Sequence, residues 1–141
     1  MKRADLLLKI IAAAYGEFVT PVQMQKVAFL VRMQFKDQLP EDYYSFQKYA
    51  YGPFCVDIYH DAEALQRIGL ISISLNQRGN WKQYAATVAG MEKNLEMIPK
   101  DIAEFIDETV DWARRLSFQE LVRAIYKRYP TYRENSVFQG Y

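Results

Sequence analysis

Apolar residues recur at helical spacing in several segments of the chain. One apolar stripe predicts a helix over residues 4–15. A second stripe begins after Thr20-Pro21, where the threonine is a typical N-cap and the proline is tolerated in the first turn. We expect this second helix to end before Pro40 and a third to cover residues 56–68.

Extended structure is predicted in three further segments. Residues 43–51 are rich in aromatic side chains, which is compatible with a strand. Residues 70–75 alternate between apolar and polar types, and residues 81–86 follow after the turn at 77–80. These last two segments therefore predict a β-hairpin.

The C-terminal part of the chain is predicted to be helical. Thr87 is a suitable cap for a helix over residues 88–97, and a longer apolar stripe covers residues 102–112. Residues 117–120, with the sequence Ser-Phe-Gln-Glu, form a capping box for a last helix that should end near Pro130.

Together these elements predict a mainly α protein with a small β-hairpin, which is an α+β fold. The order helix, helix, strand, helix and hairpin favours a winged-helix-like unit over residues 1–87, followed by C-terminal helices over 88–141. The 141 residues, half of them apolar, suffice for one buried core, and no repeat or linker interrupts them. We therefore predict a single domain over residues 1–141.

Composition narrows the classes of function. The chain has 18 Lys and Arg against 17 Asp and Glu, so no global field points to nucleic acid or to basic partners. Its single cysteine rules out an internal disulfide, and its first residues lack the apolar run of a signal peptide. Charges also break every apolar run that could span a bilayer. We expect a cytoplasmic protein without membrane segments.

Catalytic chemistry finds little support in the sequence. His60 and Cys55 are five residues apart, about 140° around a helix, so they would not face each other. Acidic residues lie near His60, but the sequence around it lacks the spacing of His or Cys residues that is typical of a metal site. Gly52 and Gly79 are isolated turn glycines rather than a phosphate loop. The sequence therefore predicts no enzyme activity, no metal and no cofactor.

Short motifs occur in a fixed order over about half of the chain. They are Met24-Gln25-Lys26-Val27-Ala28-Phe29-Leu30, Tyr51-Gly52-Pro53-Phe54, Tyr59, Leu65 and Ile68-Gly69-Leu70-Ile71. This order resembles the Panacea (SocA-like) antitoxin domains and the related YwgA-like proteins, which show a Leu-Gln-Lys helix, a Tyr-Gly-Pro turn and a helix closing on Gly-Leu-Ile. Met24 stands where leucine is usual, a mild change between flexible apolar side chains. The resemblance implies a non-enzymatic protein that masks a toxin or presents it for degradation.

The Gly52-Pro53 step marks a turn whose neighbours are candidate contact residues. Pro53 fixes its own φ, while Gly52 can adopt angles that a side chain would forbid. The surrounding rings either fill the core or anchor a partner, and Tyr and Arg often carry interface energy. The predicted partner-binding residues are Tyr51, Phe54, Tyr59, Arg128 and Tyr132.

A basic aromatic segment near the C-terminus supports a second hypothesis, a winged-helix DNA-binding regulator that is dimeric through its C-terminal helices. The predicted third helix carries several acids and suits duplex DNA poorly, so contacts would come from the hairpin tip and the basic C-terminal segment. An accessory protein of a phage-defence or mobile-element locus is a third hypothesis, and a homo-oligomer is compatible with each. The predicted nucleic-acid contacts are Arg78, Lys82, Arg123, Lys127 and Arg133.

Overall fold

The computed structural model describes residues 1–138. Within them the chain forms six α-helices, five strands and a final 3₁₀ turn. In chain order these are α1 (Arg3–Ala12), β1 (Phe18–Val19), α2 (Pro21–Phe35), β2 (Gln47–Tyr49), β3 (Gly52–Phe54), α3 (Asp57–Arg67), β4 (Ile71–Leu75), β5 (Lys82–Ala86), α4 (Val88–Glu92), α5 (Lys100–Arg114), α6 (Phe118–Arg128) and the turn Pro130–Arg133.

Two of the predicted helix starts are confirmed by reciprocal capping bonds. The Thr20 hydroxyl accepts from the backbone N–H of Gln23, and the Gln23 side chain accepts from the backbone N–H of Thr20. Ser117 and Glu120 make the same pair of bonds at the start of α6. Each cap satisfies backbone donors that the first helical turn leaves without partners.

Three antiparallel strands form the first sheet in the order β1–β5–β4. Ile71 lies opposite Ala86 and Leu75 opposite Lys82, so the predicted hairpin is confirmed. The short strand β1, between α1 and α2, pairs with β5 through Phe18 and Ala85. The α+β class is thus confirmed.

A second, two-stranded sheet corrects the prediction of one strand over residues 43–51. Only β2 is extended there, and it turns back at residues 50–51 to pair with β3. Tyr43 and Tyr44 instead lie buried, because their hydroxyls find partners on helices. The Tyr43 hydroxyl donates to the Ala28 carbonyl at 2.8 Å, and the Tyr44 hydroxyl donates to the Asp61 carboxylate at 2.6 Å.

The helix predicted over residues 88–97 is shorter than expected and ends at Glu92. The Asn94 side chain accepts from the backbone N–H of Glu96, a local bond that competes with helix continuation. Thr87 is the expected cap and accepts from the N–H of Gly90.

The core lies between α1, α2 and α5, with α6 closing one side. Buried leucine and isoleucine side chains from α1 and α5 meet valine and alanine side chains of α2. Lys9 of α1 and Asp107 of α5 form an ion pair at 2.9 Å across this junction. The C-terminal helices therefore pack on the N-terminal unit. None of the helices described in residues 1–138 combines the length and the apolar character needed to cross a bilayer.

Candidate protein-binding site

The side chain of Gln25 joins α2 to the segment that follows β3. Its amide nitrogen donates to the Cys55 carbonyl at 2.9 Å, and its amide oxygen accepts from the Cys55 N–H, also at 2.9 Å. Gln25 therefore satisfies both backbone groups of one residue, as a neighbouring strand would. All four polar groups are buried, so this bond pair fixes the end of β3 against α2.

Lys26 is the next residue of α2 and makes the second bond to this segment. Its Nζ donates to the Pro53 carbonyl at 3.1 Å, although only 3% of the residue is exposed. Burial lowers the pKa of Lys26 to about 7, because the charged form loses its hydration. Within residues 1–138 no carboxylate forms an ion pair with this amine. Lys26 is thus a buried amine whose pKa lies well below that of a solvated lysine.

Gly52 gives the backbone room to pass close to Lys26. Its φ of +105° lies in the region that side chains avoid. A Cβ placed on Gly52 would lie 3.3 Å from the Tyr126 ring and 3.4 Å from Cε of Lys26. The sequence prediction that this glycine takes an unusual conformation is therefore confirmed.

Residues 47–54, which we call the aromatic hairpin, are held from their other edge by the chain after α6. Lys48 forms an ion pair with Glu134 at 2.9 Å, and the Asn135 side chain donates to the Lys48 carbonyl at 3.1 Å. The backbone N–H of Val137 donates to the Ala50 carbonyl at 2.9 Å. The aromatic hairpin is therefore fixed between α2 and residues 134–137.

Five rings cluster on and beside the aromatic hairpin. Tyr49 stacks on Phe54 with centroids 4.9 Å apart, and Phe54 contacts Tyr59 at 5.7 Å. Tyr51 meets Phe118, the first residue of α6, edge-to-face at 5.2 Å. The exposed fractions are 55% for Tyr49, 45% for Tyr51 and 43% for Phe118. Much of this aromatic surface therefore faces solvent.

These five rings and Lys26 line a cavity of about 230 Å³, which we call the hairpin cavity. A second depression of about 530 Å³ lies next to it, with Trp81, Leu116 and Leu121 on its walls, and we call this the Trp81 groove. Val22 and Phe118 line both. The two depressions therefore adjoin along a common apolar wall.

The structure divides the predicted partner-binding residues into separate places. Tyr51, Phe54 and Tyr59 all line the hairpin cavity. Tyr132 is half-buried and packs edge-to-face on Phe29 at 4.8 Å. Arg128 is exposed and lines a different groove, of about 620 Å³, between α2, α5 and α6. The first three residues form one surface, to which Arg128 and Tyr132 do not belong.

The predicted nucleic-acid contacts are all exposed, in two regions of the chain. Arg78 and Lys82 lie at the tip of the β4–β5 hairpin, with Arg78 in the turn and Lys82 at the start of β5. Arg123 and Lys127 lie on α6, and Arg133 ends the 3₁₀ turn.

One of the acids of α3 is engaged in structural contacts. Asp61 accepts from Nε of Arg3 at 2.9 Å and from the Tyr44 hydroxyl at 2.6 Å. Its charge is therefore compensated within the protein, which weakens the argument that the whole acidic face of α3 would repel phosphate.

Metal-binding and nucleophilic groups are sparse. Cys55 is buried and precedes α3, so placing it on the same helix as His60 was wrong. Nδ1 of His60 lies 3.7 Å from Asp57. Over residues 1–138 no three His, Cys, Asp or Glu side chains are grouped to hold a metal ion.

Sequence reasoning did not single out Lys26, Tyr49, Phe118 or Trp81 as site residues. A signal for Lys26 exists, since Gln25-Lys26 interrupts the apolar run of α2 where neighbours on both sides are buried. The sequence contains no such signal for Phe118, because its place beside Tyr51 depends on how α6 packs.

No family model, no curated protein and no solved structure matches the chain.

Proposed function

We propose that this chain is a non-enzymatic protein-binding module of the antitoxin or proteolytic-adaptor type, which neutralises a partner toxin by direct contact in the cytoplasm. The contact surface consists of the rings around the hairpin cavity. The single observation that carries the proposal is the exposure of Tyr49 and Tyr51 on the aromatic hairpin and of Phe118 beside it, while buried hydrogen bonds hold the hairpin in place.

The composition of the surface supports a protein partner. Tyrosine offers a large apolar face and few rotatable bonds, and it is enriched at interface positions that carry binding energy. The rings are fixed by packing against one another, so little side-chain entropy would be lost on binding.

The sequence motifs support the same proposal because they meet in space. The Gln-Lys pair of α2 binds backbone groups of Pro53 and Cys55, within or next to the Tyr-Gly-Pro-Phe turn. Motifs that resemble those of antitoxin domains therefore build one structural unit, the support of the aromatic hairpin.

The test is affinity capture from host lysate treated with nuclease, using the wild-type chain and the double variant Tyr51→Ala/Phe118→Ala. We expect the wild-type chain to capture a discrete protein partner and the double variant to bind it at least about tenfold more weakly. Truncation of a hot-spot residue typically costs about 2 kcal/mol or more of binding free energy. Tyr15→Ala is the matched control, because Tyr15 is 70% exposed and does not line the hairpin cavity. Equal capture by all three proteins would refute the proposal.

The exposed basic residues favour a second candidate function, a winged-helix DNA-binding regulator. Its contacts would come from Arg78 and Lys82 at the hairpin tip together with the basic residues of α6. Binding of this kind falls steeply with salt concentration, whereas an aromatic protein interface changes little. Capture that disappears with nuclease would favour this alternative.

A further inference from the structure

We propose that the hairpin cavity binds the C-terminal carboxylate of a partner chain that ends in an apolar residue, with Lys26 as the carboxylate-binding group. This inference rests on the proposed function and names the chemistry of the partner. Its physical basis is an amine and a set of aromatic walls within the same small cavity.

The amine of Lys26 has unused binding capacity. A lysine ammonium has three N–H donors, and in the described part of the chain Nζ makes one hydrogen bond, to the Pro53 carbonyl. No acidic residue of residues 1–138 forms an ion pair with it. Burial without a counter-charge disfavours the charged form of this amine, and an incoming carboxylate would favour that form and accept a charge-assisted hydrogen bond from it.

The shape and lining of the cavity favour a chain terminus over an internal acidic residue. A C-terminal residue brings its carboxylate and its side chain into the same small volume, next to each other. The amine would meet the carboxylate, while the rings of Tyr51, Phe54 and Phe118 would meet the side chain. An internal Asp or Glu offers these rings only one or two methylenes, so it would bury less apolar surface.

The Trp81 groove offers a place for the residues that precede the terminus. It adjoins the hairpin cavity along Val22 and Phe118, and its other walls are Trp81, Leu116 and Leu121. A chain entering along this groove would place apolar side chains against apolar walls before its last residue reaches Lys26. The partner is therefore expected to end in a run with several apolar residues.

The test uses two peptide display libraries of equal length against the immobilised full chain. In one library the random residues end in a free carboxylate, and in the other the same random residues are followed by a constant polar tail. We expect enrichment only in the first library, with an apolar last residue. Enrichment in the second library alone, or in neither, would overturn the proposal.

A selected peptide then serves as the probe for variants. We expect its free acid to bind the wild-type chain at least about tenfold more tightly than its C-terminal amide, and Lys26→Met to abolish this difference. Lys26→Met should fold, because it replaces a buried amine with an apolar side chain of similar length. Phe118→Ser, at an exposed position, should weaken both peptides alike. If acid and amide bind equally to the wild type, Lys26 does not read the carboxylate and the inference is wrong.

The two proposals can fail separately. If partner capture is lost in Tyr51→Ala/Phe118→Ala but unchanged in Lys26→Met, the proposed protein-binding function is supported and carboxylate recognition by Lys26 is refuted. If neither variant changes partner capture, both proposals are refuted.

Discussion

Replacing Lys26 with methionine gives the sharpest test of the buried amine, because we expect this substitution to change how the stability of the protein depends on pH. In the folded chain the pKa of Lys26 is about 7, against 10.5 for the free side chain. Between these values the unfolded state binds more protons than the folded state, so stability rises with pH. The stability that this pKa shift contributes is fully present above the pKa of Lys26 in the unfolded chain. It is lost as pH falls through the pKa of Lys26 in the folded chain.

The magnitude follows from the two pKa values. Their difference, 10.5 less about 7, corresponds to roughly 5 kcal/mol over the whole pH range. About half of it falls between pH 7 and pH 9, where the linkage relation gives a gain of about 2 kcal/mol in the wild-type free energy of unfolding. This window ends below the titration of Tyr43 and Tyr44, because burial raises the pKa of both hydroxyls.

The assay is urea unfolding of the wild type and Lys26→Met at pH 7 and pH 9. The difference between the two proteins removes the contribution of every other titrating group. We expect the wild type to gain about 2 kcal/mol relative to the variant between these two pH values. Parallel pH dependence in the two proteins would show that Lys26 keeps its ordinary pKa, and the buried amine would then be fully charged at neutral pH.

Two further substitutions test close contacts elsewhere in the fold. Gly90→Ala places a Cβ well inside van der Waals contact with the Leu70 carbonyl oxygen, so we expect a loss of about 1–3 kcal/mol in unfolding free energy, measured by urea denaturation; an unchanged midpoint would contradict the close approach. Tyr44→Phe removes the hydroxyl that donates to Asp61 and leaves that carboxylate to Arg3 alone, so thermal unfolding should show a loss of about 1–3 kcal/mol. A loss no larger than that of an exposed Tyr15→Phe control would rule out the buried bond.

The sequence predicted the elements whose signals are local. The caps at Thr20 and Ser117 and the alternation around the β4–β5 hairpin depend on residues within a few positions of each other, and all three are found. The fold class followed from their order. The strand over residues 43–51 failed for the opposite reason, because the partners of Tyr43 and Tyr44 lie on helices distant in sequence.

The candidate site was only partly predictable for the same reason. Tyr51, Phe54 and Tyr59 surround a turn that the Gly-Pro step marks, so their grouping could be expected. Lys26 and Phe118 reach this turn from α2 and α6 through tertiary packing, which one sequence does not encode in any short pattern. Tyr132 shows the converse, since an aromatic residue in a basic segment turned out to pack on Phe29.

The contacts of residues 134–137 with the aromatic hairpin determine when during synthesis the site can form. Asn135 and Lys48 are 87 positions apart, so this edge closes only after nearly all of residues 1–138 have left the ribosome. Contacts of such long range are slow to form and come late in folding. A nascent chain interrupted before Glu134 would hold the aromatic hairpin through α2, α6 and the 3₁₀ turn but would lack the bonds from residues 134–137, so the site gains its last support only in chains synthesised past this point.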